Sequence, residues 1–226
     1  MKILAIDTAL GAASACLFES ASNQVLARET VWLERGHDQT IVPLIDRVVA
    51  EGGGRASLDR VAVTVGPGSF TGIRVGISAA RSIGLALGAP VVGVSTLAAY
   101  VAPLLLDRSD GVAACAIDAR HGRIYVAAFA GGNQIIAPRI AAPREAVRAM
   151  GSGPLRLVGS GAAALAIEAW SMGVAAEVVS DASAPDIAFV ARLGAAAETQ
   201  SAPPRPFYLK APDVKPPEPA VVSAER

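Results

Sequence analysis

Histidine, cysteine and aromatic residues are what this 226-residue chain has least of: two His, two Cys, and 4% Phe, Trp and Tyr together. His37 and His121 stand far apart, so no His-Glu-x-x-His run and no i, i+4 histidine pair is spelled out. That leaves no metal site of the metallopeptidase kind. Cys16 and Cys115 each lie in an apolar run, which predicts buried free thiols rather than a disulfide framework. Charge is also sparse, at 18%, with 20 basic and 20 acidic residues balancing to zero. Without a basic footprint, any role toward nucleic acid is expected to be indirect. Asp7 ends the opening apolar run before it could act as a signal core. The uncharged run 82–106 is long enough by count to span a bilayer, but Gly88-Ala89-Pro90 and Pro103 break it. No membrane span and a cytoplasmic location are expected.

What the chain does have is alanine, glycine and aliphatic side chains: 52% hydrophobic residues and a mean hydropathy of +0.44. The organising stretch is VAVTVGPGSFTGIRVGISAARSIGLAL, residues 61–87. It reads as a buried strand, a Gly-rich turn and a helix of small residues. A P-loop would need Lys and Ser or Thr after its last Gly, whereas Gly72 is followed by Ile73 and Arg74. The dinucleotide fingerprint needs a Gly where Thr71 stands, so both phosphate-loop patterns fail. Ser69, Thr71 and the first helix amides are left as a weaker anion candidate. In the helix, Gly76, Ala79, Ala80 and Gly84 sacrifice about 1 kcal/mol of intrinsic helicity per Gly, which predicts close approach of another backbone. The expectation is that this backbone belongs to another subunit.

Taken in order, strands are predicted at 3–7, 13–19 and 25–33, then a helix with Ile41, Leu44, Ile45, Val48 and Val49 at helical spacing. The organising strand and helix follow, then a strand at 91–95 and a helix at 96–106. After a polar break at 107–111, AIDTALGAASACLF (5–18) recurs as AIDARHGRIYVAAF (116–129) at a constant offset of 111. Each copy is an apolar strand ending in Asp, a Gly turn, and a returning strand ending in Phe. Two such halves predict the duplicated actin-like α/β fold (ASKHA, ribonuclease H-like) with two lobes. The expected division is 1–106, 107–202 and a Pro-rich tail at 203–226. The second half continues with helices at 143–150, 162–171 and 185–200 and strands at 155–158 and 177–180. In the tail, 207–210 is expected to pack on the body, with disorder beyond Pro212.

In a cleft between such lobes, Asp7 and Asp118 would orient Mg²⁺ around phosphates, with Thr8 and Ser14 as further nucleotide contacts. ATP or ADP with Mg²⁺, at an interface shared with another subunit, is the cofactor this admits. The surrounding residues are thin for it: one Gly follows Asp7, and bulky Arg120 and His121 follow Asp118. Ser160, in Gly159-Ser160-Gly161, lacks the nucleophile-elbow pattern. A small actin-like ATPase or kinase using Asp7 and Asp118 is the rival to a subunit without a reaction centre. A metallopeptidase is the weakest reading.

MKILAIDTA, ERGHDQTIVPLID (34–46), VTVGPGSFTGIRVGISAARSIG (63–84), AIDARHGRIYVAAF and FYLK closely resemble the TsaB (YeaZ) family. The resemblance covers essentially the whole body. It implies an actin-like, non-catalytic paralogue of TsaD, a scaffold required for making threonylcarbamoyladenosine in tRNA. The implied partners are TsaD, the ATPase TsaE and a second copy of the chain as homodimer, with tRNA touched only indirectly. The glycoprotease label attached to such chains has no support in these residues. TsaD holds its metal with a His-x-x-x-His pair; the matching positions here are Thr96 and Tyr100, so neither ligand is present. The resemblance also implies an interface on the helices at 38–49 and 72–87. Its candidate contacts are His37, Ile41, Leu44, Ile45, Val48, Gly72, Arg74, Gly76, Ile77, Ala80, Arg81 and Gly84.

Overall fold

The computed structural model describes residues 1–54, 58–107 and 110–210. The first half runs β1 (Lys2–Asp7), β2 (Ala12–Glu19), β3 (Gln24–Trp32), α1 (His37–Glu51), β4 (Arg60–Gly66), α2 (Phe70–Leu87), β5 (Val91–Ser95) and α3 (Thr96–Leu106). The second half runs β6 (Val112–Asp118), β7 (Ile124–Ala130), β8 (Asn133–Ala141), α4 (Pro143–Met150), β9 (Leu155–Val158), α5 (Ala162–Ser171), β10 (Ala176–Ser180) and α6 (Ile187–Ala196). One sheet has the order β3-β2-β1-β4-β5, and the other, read from its far edge, β8-β7-β6-β9-β10. In both, the first three strands are antiparallel and the last two join them in parallel. The repeat read at offset 111 is therefore a repeat of topology, and the fold is the duplicated, two-lobed actin-like α/β fold.

Burial follows from the parity of the strands. On β1, Leu4 and Ile6 face α1 and α2, while Ile3 and Ala5 face the opposite side of the sheet. That opposite side is covered by α6, whose Ile187, Val190 and Ala191 pack on Ala5, Ala62 and Val92. Helix α3 lays Leu97, Val101 and Leu104 against Cys115, Ile117 and Val158 of the second sheet. A layer of α3 and α6 thus lies between the sheets, and α4 and α5 cover the far side of the second.

Although the division at 106/107 groups α6 with the second half, its contacts are with the first sheet. Arg60 on β4 reaches past the helix end and donates through Nη1 to the carbonyls of Gly194 (2.8 Å), Ala195 (3.1 Å) and Ala197 (2.7 Å). A guanidinium there complements the negative end of the helix dipole. The chain then runs back as a strap. The carbonyl of Ala202 accepts from Gly93 N at 2.9 Å, and Phe207 N donates to Val65 O at 2.7 Å. Pro203, Pro204 and Pro206 lack the donors to extend a ladder, so the strap ends the sheet at its β5 edge. Tyr208 stacks on Phe70 of α2; the tail beyond 210, where disorder is expected past Pro212, lies outside the described residues.

Two departures have physical reasons. Strand β8 was not anticipated, because Pro138 and two register shifts hide its alternation. The last helix spans 187–196 rather than 185–200, starting where Asp186 Oδ1 accepts from Ala188 N at 3.0 Å. Among the described residues no helix is long and apolar enough to cross a membrane.

At Gly194 of α6 an added Cβ would collide with the Cβ of Ala62. Gly194→Val should therefore destabilise the chain by about 1–3 kcal/mol through overpacking, read as a lower midpoint in urea unfolding.

Candidate functional site

The turns after β1 and β6 open onto a cleft of about 830 Å³. Leu10 and Gly11 line it from the first half, Asp118 to Arg120 from the second, and strap residues 207–210 border it. His37, at the start of α1, donates from Nε2 to Leu10 O at 2.8 Å and pins the first turn. In the second turn Arg120 and His121 adopt left-handed backbone, with φ of 64° and 53°. Such a conformation is costly without glycine. It turns Arg120 into the cleft, and neither composition nor spacing signalled it.

The two acids do not meet in this cleft. Asp118 is exposed, and its Oδ1 accepts from Arg120 N at 2.8 Å. Asp7 is fully buried. Its Oδ1 accepts from the Thr64 hydroxyl at 2.5 Å and from Ala9 N at 3.0 Å, while Oδ2 has no partner. Burial raises its pKa above the ordinary 3.8, against the opposing pull of Thr64, Ala9 and His37. Thr8 and Ser14 are buried as well; the Thr8 hydroxyl donates to Gly72 O at 2.7 Å, and Ser14 lies opposite Asp7 in the β1–β2 register. Asp7, Thr8 and Ser14, expected to face a nucleotide, are instead enclosed within the first lobe. Hydrophobic layers on both faces of β1 put its last carboxyl under cover. These residues do not fit a divalent cation held jointly by Asp7 and Asp118. Among the described residues no three His, Cys, Asp or Glu side chains converge.

Thr96 and Tyr100 are buried at the start of α3, and the Tyr100 hydroxyl donates to Ala182 O at 2.8 Å. Burial raises the pKa of that phenol.

The expected interface residues also need correction. Gly72, Gly76, Ile77, Ala80 and Gly84 face inward. A Cβ on Gly72 would strike the Thr8 carbonyl oxygen, one on Gly76 would sit 2.5 Å from Thr8 Oγ1, and one on Gly84 would strike Val91. The close backbone approach that the small residues predict is made to the chain's own first sheet. Ile41, Leu44, Ile45 and Val48 are likewise core. What the two helices expose is different: Leu85 on the side of α2 that carries Arg74 and Arg81, 87% exposed, and, on the sides where the helices face each other, Val42 on α1 and Leu87 on α2. Between them runs a groove of about 380 Å³ with Leu4, Ile45, Val49 and Ile83 in its walls. Arg74 and Arg81 are exposed on α2. The sequence signal for this surface was apolar residues on the outward side of each helix.

Residues 31–193 match the family model described as TsaD: tRNA N6-adenosine threonylcarbamoyltransferase. A Haemophilus influenzae protein named tRNA threonylcarbamoyladenosine biosynthesis protein TsaB is 32% identical over 181 residues, 73% of this chain and 74% of that one. The chain belongs to the TsaB (YeaZ) family. Its Escherichia coli K12 relative of the same name is 38% identical over 132 residues, 57% of this chain; the match spans 55% of that relative's length. The solved structure of YeaZ from Pseudomonas aeruginosa shares the fold, with a TM-score of 0.71 at 22% identity over 92% of this chain and 99% of that one. A second structure from that organism, described as similar to peptidase YEAZ, gives a TM-score of 0.70 at 24% identity over the same shares.

Asp7 generates a pH prediction. Its pKa is raised on folding, so the neutral form is favoured in the folded state, and stability is lost as pH rises through the folded pKa. Asp7→Asn keeps a neutral group at every pH. Its stability relative to the unmodified chain should rise as pH increases above 3.8, checked by urea unfolding across a pH series.

Proposed function

We propose that this chain is a non-catalytic subunit needed to make threonylcarbamoyladenosine in tRNA, working by pairing with TsaD. The names of its relatives support the process. One observation supports the role: the chain's exposed apolar surface, Val42 and Leu87 at the α1–α2 groove, lies on the outside of a lobe whose Asp7 is sealed from the cleft. Contiguous exposed apolar surface on a soluble lobe marks a protein contact. The same surface pairs two copies of the chain when it is alone and exchanges that contact for TsaD. TsaE joins the pair, tRNA contacts this subunit only indirectly, and the complex works in the cytoplasm. The lobes divide at 106/107 in sequence, with α6 lent to the first.

The cleft bordered by exposed Asp118 favours a second reading, a small ATPase or kinase, with ATP or ADP bound together with Mg²⁺ at Asp118. Peptidase chemistry would need a poised nucleophile and base; Ser160 Oγ instead accepts from Asp118 N at 3.1 Å.

The test is pairing. Val42→Glu should cost at least tenfold in TsaD affinity, on the order of a lost interface anchor, and should fail to restore the tRNA modification to cells lacking the subunit. Its unfolding midpoint should stay nearly unchanged, because Val42 is 56% exposed. Unaltered pairing would defeat the scaffold reading, and Mg-ATP turnover by the isolated chain, lost in Asp118→Asn, would establish the rival.

A further inference from the structure

The strap meets the N-terminal end of α2 in a stacked cluster. Phe70 and Tyr208 lie with ring centroids 4.9 Å apart and planes inclined at 30°. The Arg74 guanidinium carbon sits 3.6 Å from the Phe70 centroid and 5.9 Å from that of Tyr208. Arg74 is exposed, and among the described residues no carboxylate pairs with it. A guanidinium laid on aromatic faces keeps its N–H edge open in one plane, the geometry that receives a carboxylate by two parallel hydrogen bonds. The side chain is held in advance, so less rotamer freedom is lost on binding.

The strap that brings Tyr208 there is itself tied down. Arg81 donates to Pro204 O at 2.8 Å and Phe207 N to Val65 O at 2.7 Å. Gly66 has no Cβ where the Phe207 carbonyl passes; an added one would sit 2.6 Å from its oxygen. Helix α2 carries no acidic residue from end to end. Its outward side runs from Arg74 through Arg81 to Leu85, cationic at one end and apolar at the other.

We infer that Phe70, Arg74 and Tyr208 form a preorganised anchor for a carboxylate side chain of a partner protein. The C-terminal strap supplies half of its platform. The inference rests on the pairing reading above and names the chemistry of the partner: an acidic surface beside an apolar one. Charge complementarity favours that occupant over a second α2 helix, which would set arginine against arginine. The adjoining leucines and the chain's zero net charge favour protein over RNA.

The test uses the full chain with the TsaD of the same genome as probe, binding read by calorimetry and integrity by the thermal midpoint. Arg74→Glu and Tyr208→Ala should each weaken pairing by about tenfold or more, while Tyr208→Phe, which keeps the ring, should pair normally. Arg74→Lys should recover only part of the affinity, since an ammonium neither stacks nor binds in a fork. If Tyr208→Ala lowers the midpoint, Arg74→Glu carries the test, because it leaves the ring pair in place. Normal TsaD binding by Arg74→Glu, with Val42→Glu impaired, would overturn the anchor and leave the pairing reading standing. Normal binding by both would overturn both. A loss seen in self-association or in tRNA retention, without loss of TsaD binding, would also overturn it.

Discussion

The contact between Thr8 and Gly72 sets the geometry of the first lobe. The Thr8 hydroxyl donates to the Gly72 carbonyl, and the Thr8 carbonyl fills the space a side chain at 72 would need. Helix α2 can therefore start directly on the turn that ends β1. Once its first turn is fixed there, helical periodicity turns Gly76, Ala80 and Gly84 toward the sheet and Arg74, Arg81 and Leu85 toward solvent. The same closeness roofs over Asp7. One tight backbone approach thus decides what the lobe hides and what it offers.

The strands and helices were legible because each carries its own signal: apolar runs of strand length, the helical spacing of Ile41, Leu44, Ile45, Val48 and Val49, and the break at Gly88-Ala89-Pro90, where Gly88 takes left-handed backbone. The duplication was legible because topology was copied along with an Asp-ended hairpin. Three things were not. Strand β8 has an edge strand's irregular pattern. The placement of α6 on the other half's sheet depends on contacts across most of the chain, which no local pattern encodes. The facing of α2 was misread for a simpler reason: small residues announce that a backbone comes close, and say nothing of whose. Leu85 was the better guide, since an apolar side chain on the outward side has no internal use.

Asp7 and Asp118 occupy equivalent places in the two repeats, yet one is buried while the other stands in water. Each shares a backbone feature with its twin: a side-chain oxygen accepts the amide two residues on, Ala9 in one case and Arg120 in the other. Both carboxylates therefore act as turn formers at the ends of β1 and β6.

The placement of α6 bears on how the chain is made. The second face of the first sheet, with Ile3, Ala5, Ala62 and Val92, is closed by a helix that follows the entire second sheet in sequence. A ribosome releases the first sheet long before it releases that cover. The nascent first lobe carries a bare apolar face until α6 has been made, the kind of exposure on which chaperones act.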